Sequence, residues 1–147
     1  MDRLAKFWFL TGREKKLLCE AVILLSLSGL CVKAIPFKHI DKFLRTRWND
    51  GIQGVLDREQ EIRLVKRSIL RAAKVLPWNS LCLSRAIAEF IMLRRRDIPA
   101  SLFAGVKFSG YFSLDAHAWV DSGVNDNGSE NSGFPTVIRI GTRAVDR

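Results

Sequence analysis

The sequence predicts an α+β fold, with helices in the first part of the chain and a small antiparallel sheet in the last part. In the first part, apolar residues recur every three or four positions, as on the buried face of a helix. After Pro99 the pattern changes to an alternation with a period of two, which is typical of strands. Helices that precede the strands, rather than alternate with them, favour α+β over α/β.

Four helices are predicted before the pattern changes. The first is apolar almost throughout and ends before Pro36, because proline does not continue a helix. The fourth follows Asn79 or Ser80, either of which is a good N-cap. The first three predicted helices cover residues 14–32, 37–47 and 57–76. The fourth begins after its N-cap and ends near residue 96.

Three strands are predicted in the last part of the chain, and turn residues separate them. A chain of 147 residues is large enough for one hydrophobic core, so we expect a single compact domain. Within it we distinguish an N-terminal helical segment, residues 1–35, from a core over residues 36–147. The predicted strands cover residues 101–108, 114–121 and 136–140.

Composition narrows the function classes. With 24 Lys+Arg against 15 Asp+Glu the net charge is +9, which favours anionic partners such as nucleic acid, anionic lipid or an acidic protein. Three widely spaced cysteines argue against a disulfide framework and predict a cytoplasmic protein. The chain has no metal-binding spacing of Cys and His and no phosphate-binding glycine motif, so neither a metal nor a cofactor is expected.

The apolar stretch over residues 17–35 has two interpretations. Its length is close to the minimum for a membrane span, but Glu20 and Lys33 interrupt it and no cleavage site for a signal peptide follows. We therefore expect a packed core helix, and keep peripheral contact with a membrane as the less favoured alternative.

Cys82 and His117 are the residues most indicative of chemistry. Cys82 lies where a loop enters the fourth helix, a position that stabilises a thiolate, and His117 lies on the second strand. A thiol and an imidazole are the parts of a cysteine nucleophile and its base. Cys19 and Cys31 lie in the apolar first helix and are expected to be small buried residues. His39 is expected on the surface of the second helix.

The second strand has two unlike faces. Small apolar residues occupy positions 114, 116, 118 and 120, whereas Asp, His, Trp and Asp occupy positions 115, 117, 119 and 121. His117 is therefore predicted beside Trp119, away from the core. Backbone N–H groups at the start of the fourth helix, assisted by Asn79 or Ser80, are candidates to hold an oxyanion.

Residues 81–86 (LCLSRA) and 116–121 (AHAWVD), in this order, carry a family resemblance. The stretch from about residue 36 to 140 resembles the transglutaminase-like cysteine peptidases that remove leader peptides in lasso-peptide biosynthesis. The resemblance implies a papain/transglutaminase-like fold and a Cys-His-Asp triad, with Cys82 as nucleophile and His117 as base and acid. The third member matches Asp126 best, with Asp121 as the alternative; Trp119 is a supporting residue.

The resemblance also implies partners. The substrate is a ribosomally made precursor peptide, held by a separate leader-recognition protein, and a lasso cyclase then acts on the product; neither nucleic acid nor a cofactor takes part. Two alternatives stay open on the residues alone. The first is a non-catalytic basic module that binds nucleic acid or an acidic partner. The second is acyl transfer to an amine rather than to water.

Overall fold

In the part of the chain that the structure describes, four helices precede a three-stranded sheet, which confirms the predicted α+β order. The computed structural model describes residues 10–48, 58–76, 82–108, 110, 114–122 and 135–141. The predicted boundaries differ from those found by only one or two residues. The elements are α1 (Gly12–Ala34), α2 (Phe37–Trp48), α3 (Glu59–Val75), α4 (Cys82–Arg94), β1 (Ser101–Phe108), β2 (Leu114–Asp121) and β3 (Thr136–Gly141).

Helix α1 is closed at both ends by local hydrogen bonds. Thr11 is its N-cap and forms a capping box with Glu14. The Thr11 N–H and the Thr11 hydroxyl both donate to the Glu14 carboxylate. These hydrogen bonds lower the pKa of Glu14, and the N–H has the larger effect. At the other end Ile35 is extended, and its N–H donates to the Cys31 carbonyl at 2.8 Å. Pro36 follows and favours this extended geometry in the residue before it.

Helix α4 is the centre of the core. It contacts α1 and α3 on one side and strands β1 and β2 on another. Its side chains are buried around most of its circumference, and Phe90, Met92 and Leu93 are fully inaccessible to solvent. Because it is enclosed in this way, the direction of α4 and the position of its first residue are determined by packing rather than by the loops around it.

The C-terminus of α4 is a Schellman motif with aspartate in the position that glycine usually takes. The Ile98 N–H donates to the Leu93 carbonyl at 3.1 Å and the Asp97 N–H donates to the Arg94 carbonyl at 3.2 Å. Asp97 has a φ of 55°, which is left-handed backbone. Ile98 and Leu93 are both buried, which supplies the hydrophobic contact of the motif.

The arginines that end α4 also join it to α1. Arg95 lies 3.2 Å from the Glu20 carboxylate, and Arg96 pairs with the same carboxylate while donating to the Met92 carbonyl at 2.7 Å. Arg94 differs from both, because it is buried at 2 % exposure. The helix dipole favours cations at this end, but Glu20 on a neighbouring helix is what orders two of them.

The sheet has the strand order β2-β1-β3, and both pairs are antiparallel. Its core face carries Leu102, Ala118 and Ile140, all buried in the cluster that α4 also belongs to. Directly paired residues share a face, so the pairs of Gly105 with His117 and of Phe103 with Trp119 lie on the opposite face. His117 is therefore on the face predicted for it.

Helix α1 is apolar on its outer as well as its inner face. Leu17, Ala21 and Leu25 are buried in the core. Cys19 is exposed, so the expectation that it is buried is wrong, whereas Cys31 is half-buried. By length and composition alone α1 could cross a membrane, and it is the one such helix in the described ranges. A helix that is apolar all round gives no periodic signal, so the sequence pattern did not show which face is buried.

Glu89 is an acid in the middle of α4. Its Oε1 is buried and has no hydrogen-bond partner among the described residues, although part of the residue stays exposed. Burial raises the pKa of Glu89 to about 7, against the opposing effect of Lys66 on α3. The folded protein therefore binds a proton at Glu89 that the unfolded chain releases at lower pH.

We predict that Glu89→Gln stabilises the protein above neutral pH. Between the ordinary glutamate pKa of 4.5 and about 7 the folded state holds the extra proton, so the free energy of unfolding falls as pH rises through this window. The glutamine variant stays neutral, and at pH ~8 it should gain up to about 3 kcal/mol over the parent, with little difference at pH ~4.5.

Denaturant titrations at the two pH values measure this difference. Glu59→Gln is the matched control. The Glu59 carboxylate is exposed on α3 and pairs with Arg63 one turn further along α3. It should change stability by no more than about 0.5 kcal/mol at either pH. An equal gain for Glu89→Gln at both pH values would contradict the assigned proton.

Candidate active site

The candidate site begins at the N-terminus of α4. Cys82 is the first residue of this helix, and its side chain is half-buried. The N–H groups of the first turn of any α-helix have no partner within the helix, and the helix dipole adds partial positive charge there. Cys82 therefore lies at the helix end that the sequence predicts for it, where free N–H groups can donate to an anion.

Cys82 meets strand β2 one residue before His117. Its thiol donates a weak hydrogen bond to the Ala116 carbonyl oxygen, with Sγ and oxygen 3.6 Å apart. Cys82 and Ala116 are far apart in sequence, so this contact depends on the packing of α4 against β2. It brings the thiol to the same point of the strand as the imidazole-bearing residue.

A ladder of rings on the outer face of the sheet holds His117. The imidazole stacks on the Trp119 indole, with centroids 5.9 Å apart and planes 20° from parallel. Trp119 stacks in turn on Phe103 of β1, at 5.7 Å and 11°. The Arg139 guanidinium of β3 lies 5.4 Å from the centre of the Phe103 ring. The ladder thus has two rings from β2, one ring from β1 and one guanidinium from β3.

The strand register explains why this ladder forms. Phe103 pairs directly with Trp119 on one side and with Arg139 on the other, so all three share a face. Gly105 is the direct partner of His117 and has no side chain to compete for the space beside the imidazole. Sequence reasoning missed Phe103, Gly105 and Arg139; alternation in β1 separates its two faces, but only the pairing shows which neighbours meet.

The carboxylates near His117 occupy different positions. Asp126, and with it Asn79 and Ser80, lies outside the described residues. Asp121 is exposed at the end of β2, on the face of His117 but beyond Trp119. Four residues of strand separate the two Cα atoms by about 13 Å, which is too far for a carboxylate–imidazole hydrogen bond. Asp115 is two residues from His117 on the same face. In the strand register it lies opposite Lys107.

The remaining cysteine and histidine candidates lie elsewhere. Cys19 is exposed on α1, and His39 is exposed on α2, as predicted for it. Within the described ranges no group of three or more His, Cys, Asp or Glu side chains is placed to hold a metal ion. Cys19 and His39 are therefore natural controls for the two candidate catalytic residues.

Comparison with known proteins identifies the fold family. The family model described as "Transglutaminase-like superfamily" matches residues 44–139, which is more than half of the chain. The match runs from α2 into β3 and includes both Cys82 and His117. Neither a curated protein nor a solved structure matches the chain. The superfamily includes cysteine peptidases. The order of helices and strands and the matched family model together place this chain in the transglutaminase-like superfamily.

Proposed function

We propose that the protein is a cysteine endopeptidase that removes the leader from a ribosomally synthesised lasso-peptide precursor. The observation that carries the proposal is the contact of the Cys82 thiol with β2 beside His117. Membership of a superfamily that includes cysteine peptidases supports it. The choice of a lasso precursor rests on the resemblance of residues 81–86 and 116–121 to the leader peptidases.

The proposed reaction begins with proton transfer. His117 takes the proton from the Cys82 thiol, and the thiolate attacks the carbonyl carbon of the scissile peptide bond. The oxyanion that forms accepts hydrogen bonds from backbone N–H groups at the start of α4, which have no partner within the helix. The C–N bond then breaks as the His117 imidazolium gives its proton to the leaving amine. The leader stays bound to Cys82 as a thioester.

Water completes the cycle. His117 takes a proton from a water molecule whose oxygen attacks the thioester carbonyl. The C–S bond then breaks, and the imidazolium returns the proton to the sulfur to restore the Cys82 thiol. The products are a leader with a free carboxylate and a core peptide with a free amine. An amine in place of water would give acyl transfer instead, and the products distinguish the two reactions because acyl transfer leaves an amide on the leader.

An orienting acceptor for the imidazole completes the proposed triad. Asp126 is the candidate, because its position downstream of the His117 strand matches the third residue of the leader peptidases. Asp121 is a poor alternative, since Trp119 lies between it and His117 along the strand. Trp119 has a supporting role in this scheme, because its ring limits the tilt of the imidazole.

The proposal includes the partners. A separate leader-recognition protein presents the precursor, and a lasso cyclase uses the amine that cleavage releases. The reaction takes place in the cytoplasm, where the precursor is synthesised. The excess of basic residues suits an acidic leader or an acidic recognition protein.

We expect Cys82→Ala and His117→Gln to lower the cleavage rate at least ~10³-fold, because each removes a group that forms or breaks bonds. The assay incubates the full chain with the precursor and recognition protein encoded beside it, and mass spectrometry detects the leader carboxylate. Cys19→Ala and His39→Gln, which change an exposed thiol and an exposed imidazole elsewhere, should cleave within about twofold of the parent. Unchanged cleavage by folded Cys82→Ala would refute the proposal.

We expect Asp126→Asn to slow cleavage about 10²-fold or more, since an amide can hold the imidazole in the wrong tautomer. Asp121→Asn should change the rate less than about fivefold, because its carboxylate is too distant to accept from His117. The same assay compares the two isosteric variants. A larger loss for Asp121→Asn would assign the orienting role to that residue instead.

We expect Trp119→Leu to lower kcat about tenfold while KM changes little, because it removes the ring that His117 stacks on. Trp119→Phe keeps a flat ring and should recover most of the rate. Phe108→Leu is the control, since Phe108 is an exposed aromatic residue at the end of β1. Equal kcat values for the leucine and phenylalanine variants of Trp119 would contradict a positioning role for the ring.

A further inference from the structure

Helix α1 presents an apolar stripe to solvent. Ile23, Leu27 and Leu30 are 59 %, 53 % and 63 % exposed. Their spacing of four and then three residues puts them on one line along the helix. Cys19 and Ala34 extend the line at its two ends and are also exposed. From Cys19 to Ala34 the stripe is about 22 Å long, at the helical rise of ~1.5 Å per residue.

The charges of α1 are divided between its two sides. Its two acids are Glu14, which lies 3.8 Å from Arg71 of α3, and Glu20, which pairs with two arginines at the end of α4. Its exposed positions, in contrast, include no acid. They are Gly12, Arg13, Lys16, Cys19, Ile23, Leu27, Leu30, Lys33 and Ala34.

Two of these cations lie at the ends of the stripe. Lys16 precedes it and Lys33 is beside its last turn, and both are exposed. Across the described ranges neither lysine is in an ion pair. Lysines at such positions extend their charged groups to lipid phosphates while their methylene chains lie on the apolar surface.

We propose that the outer face of α1 binds the surface of an anionic phospholipid bilayer. Apolar residues in a line enter the boundary between headgroups and acyl chains, and the flanking cations pair with phosphate. An acidic protein would satisfy the cations as well, but a lipid surface also accepts a long apolar stripe without needing a matching groove. The net charge of +9 also attracts the molecule as a whole to an anionic surface.

The helix binds along the surface and does not cross the bilayer. Leu17, Ala21 and Leu25 on its inner side belong to the core shared with α3 and α4. Crossing would expose this core and would also break the pairs of Glu14 and Glu20. Only 22 % of the most apolar stretch of α1 is buried inside the protein. The outer face can therefore contact lipid without any unfolding.

The test is co-sedimentation of the full chain with vesicles, in the Cys82→Ala background so that the result does not depend on catalysis. We expect binding to vesicles of phosphatidylcholine with about 30 mol % phosphatidylglycerol. Binding to pure phosphatidylcholine should be at least about tenfold weaker, and raising the salt from about 0.1 M to 1 M should weaken binding to the anionic vesicles.

Paired variants locate the contact. Leu27→Gln with Leu30→Gln should weaken binding to the anionic vesicles about tenfold or more. Leu70→Gln is the matched control, because Leu70 is a leucine with 55 % exposure on α3, and it should leave binding within about twofold. Circular dichroism checks that each variant is folded. Equal weakening by the control would overturn the assignment to α1.

A probe on Cys19 provides a second measurement. In a variant with Cys31→Ser and Cys82→Ala, an environment-sensitive fluorophore on Cys19 should shift to the blue with anionic vesicles and not with neutral ones. No shift and no sedimentation would overturn the proposal and leave the peptidase proposal intact. Dimerisation in solution that Leu27→Gln with Leu30→Gln abolishes, without any lipid binding, would assign the face to a second copy of the chain instead.

Discussion

The packing of α4 between the other helices and the sheet is the constraint on which the site depends. Because Phe90, Met92 and Leu93 are enclosed on all sides, the helix has little freedom to slide or rotate. Its first residue therefore reaches β2 at a defined height, where Cys82 contacts the Ala116 carbonyl. The position of Cys82 at one end of α4 is in this way supported by hydrophobic contacts along the rest of the helix.

The outer face of the sheet has a different organisation from the core face. On the core side, aliphatic residues such as Leu102 and Ile140 complete the hydrophobic core. On the outer side, a stack begins at His117 on β2, continues through rings on β2 and β1, and ends at a guanidinium on β3. Among the described strands β2 is at one edge of the sheet, and the stack joins its imidazole to a ring on β1 and a cation on β3, the other two strands.

Helix α1 combines two roles in one apolar segment. Its inner face contributes to the core, and Glu20 orders the arginines at the end of α4, so α1 holds the end of α4 opposite to Cys82. Its outer face keeps apolar and basic residues in solvent. The proposed lipid contact would use the second face without disturbing the first, because the two lie on opposite sides of the helix.

Local pattern alone determined the order of the elements, their approximate ends, and the two faces of β2, because helical and strand periodicities are properties of neighbouring residues. The T-x-x-E capping box at the start of α1 is likewise a local feature, because its two residues are three positions apart. Tertiary structure decided which strands pair, and hence that Phe103 and Arg139 continue the stack from His117. Tertiary structure also decided which side of α1 is buried, and therefore that Cys19 is exposed. The sequence of a helix that is apolar all round has no periodic pattern that would show which face packs on the core. The meeting of Cys82 with β2 belongs to this second group, because it depends on how α4 and the sheet pack and not on either segment alone.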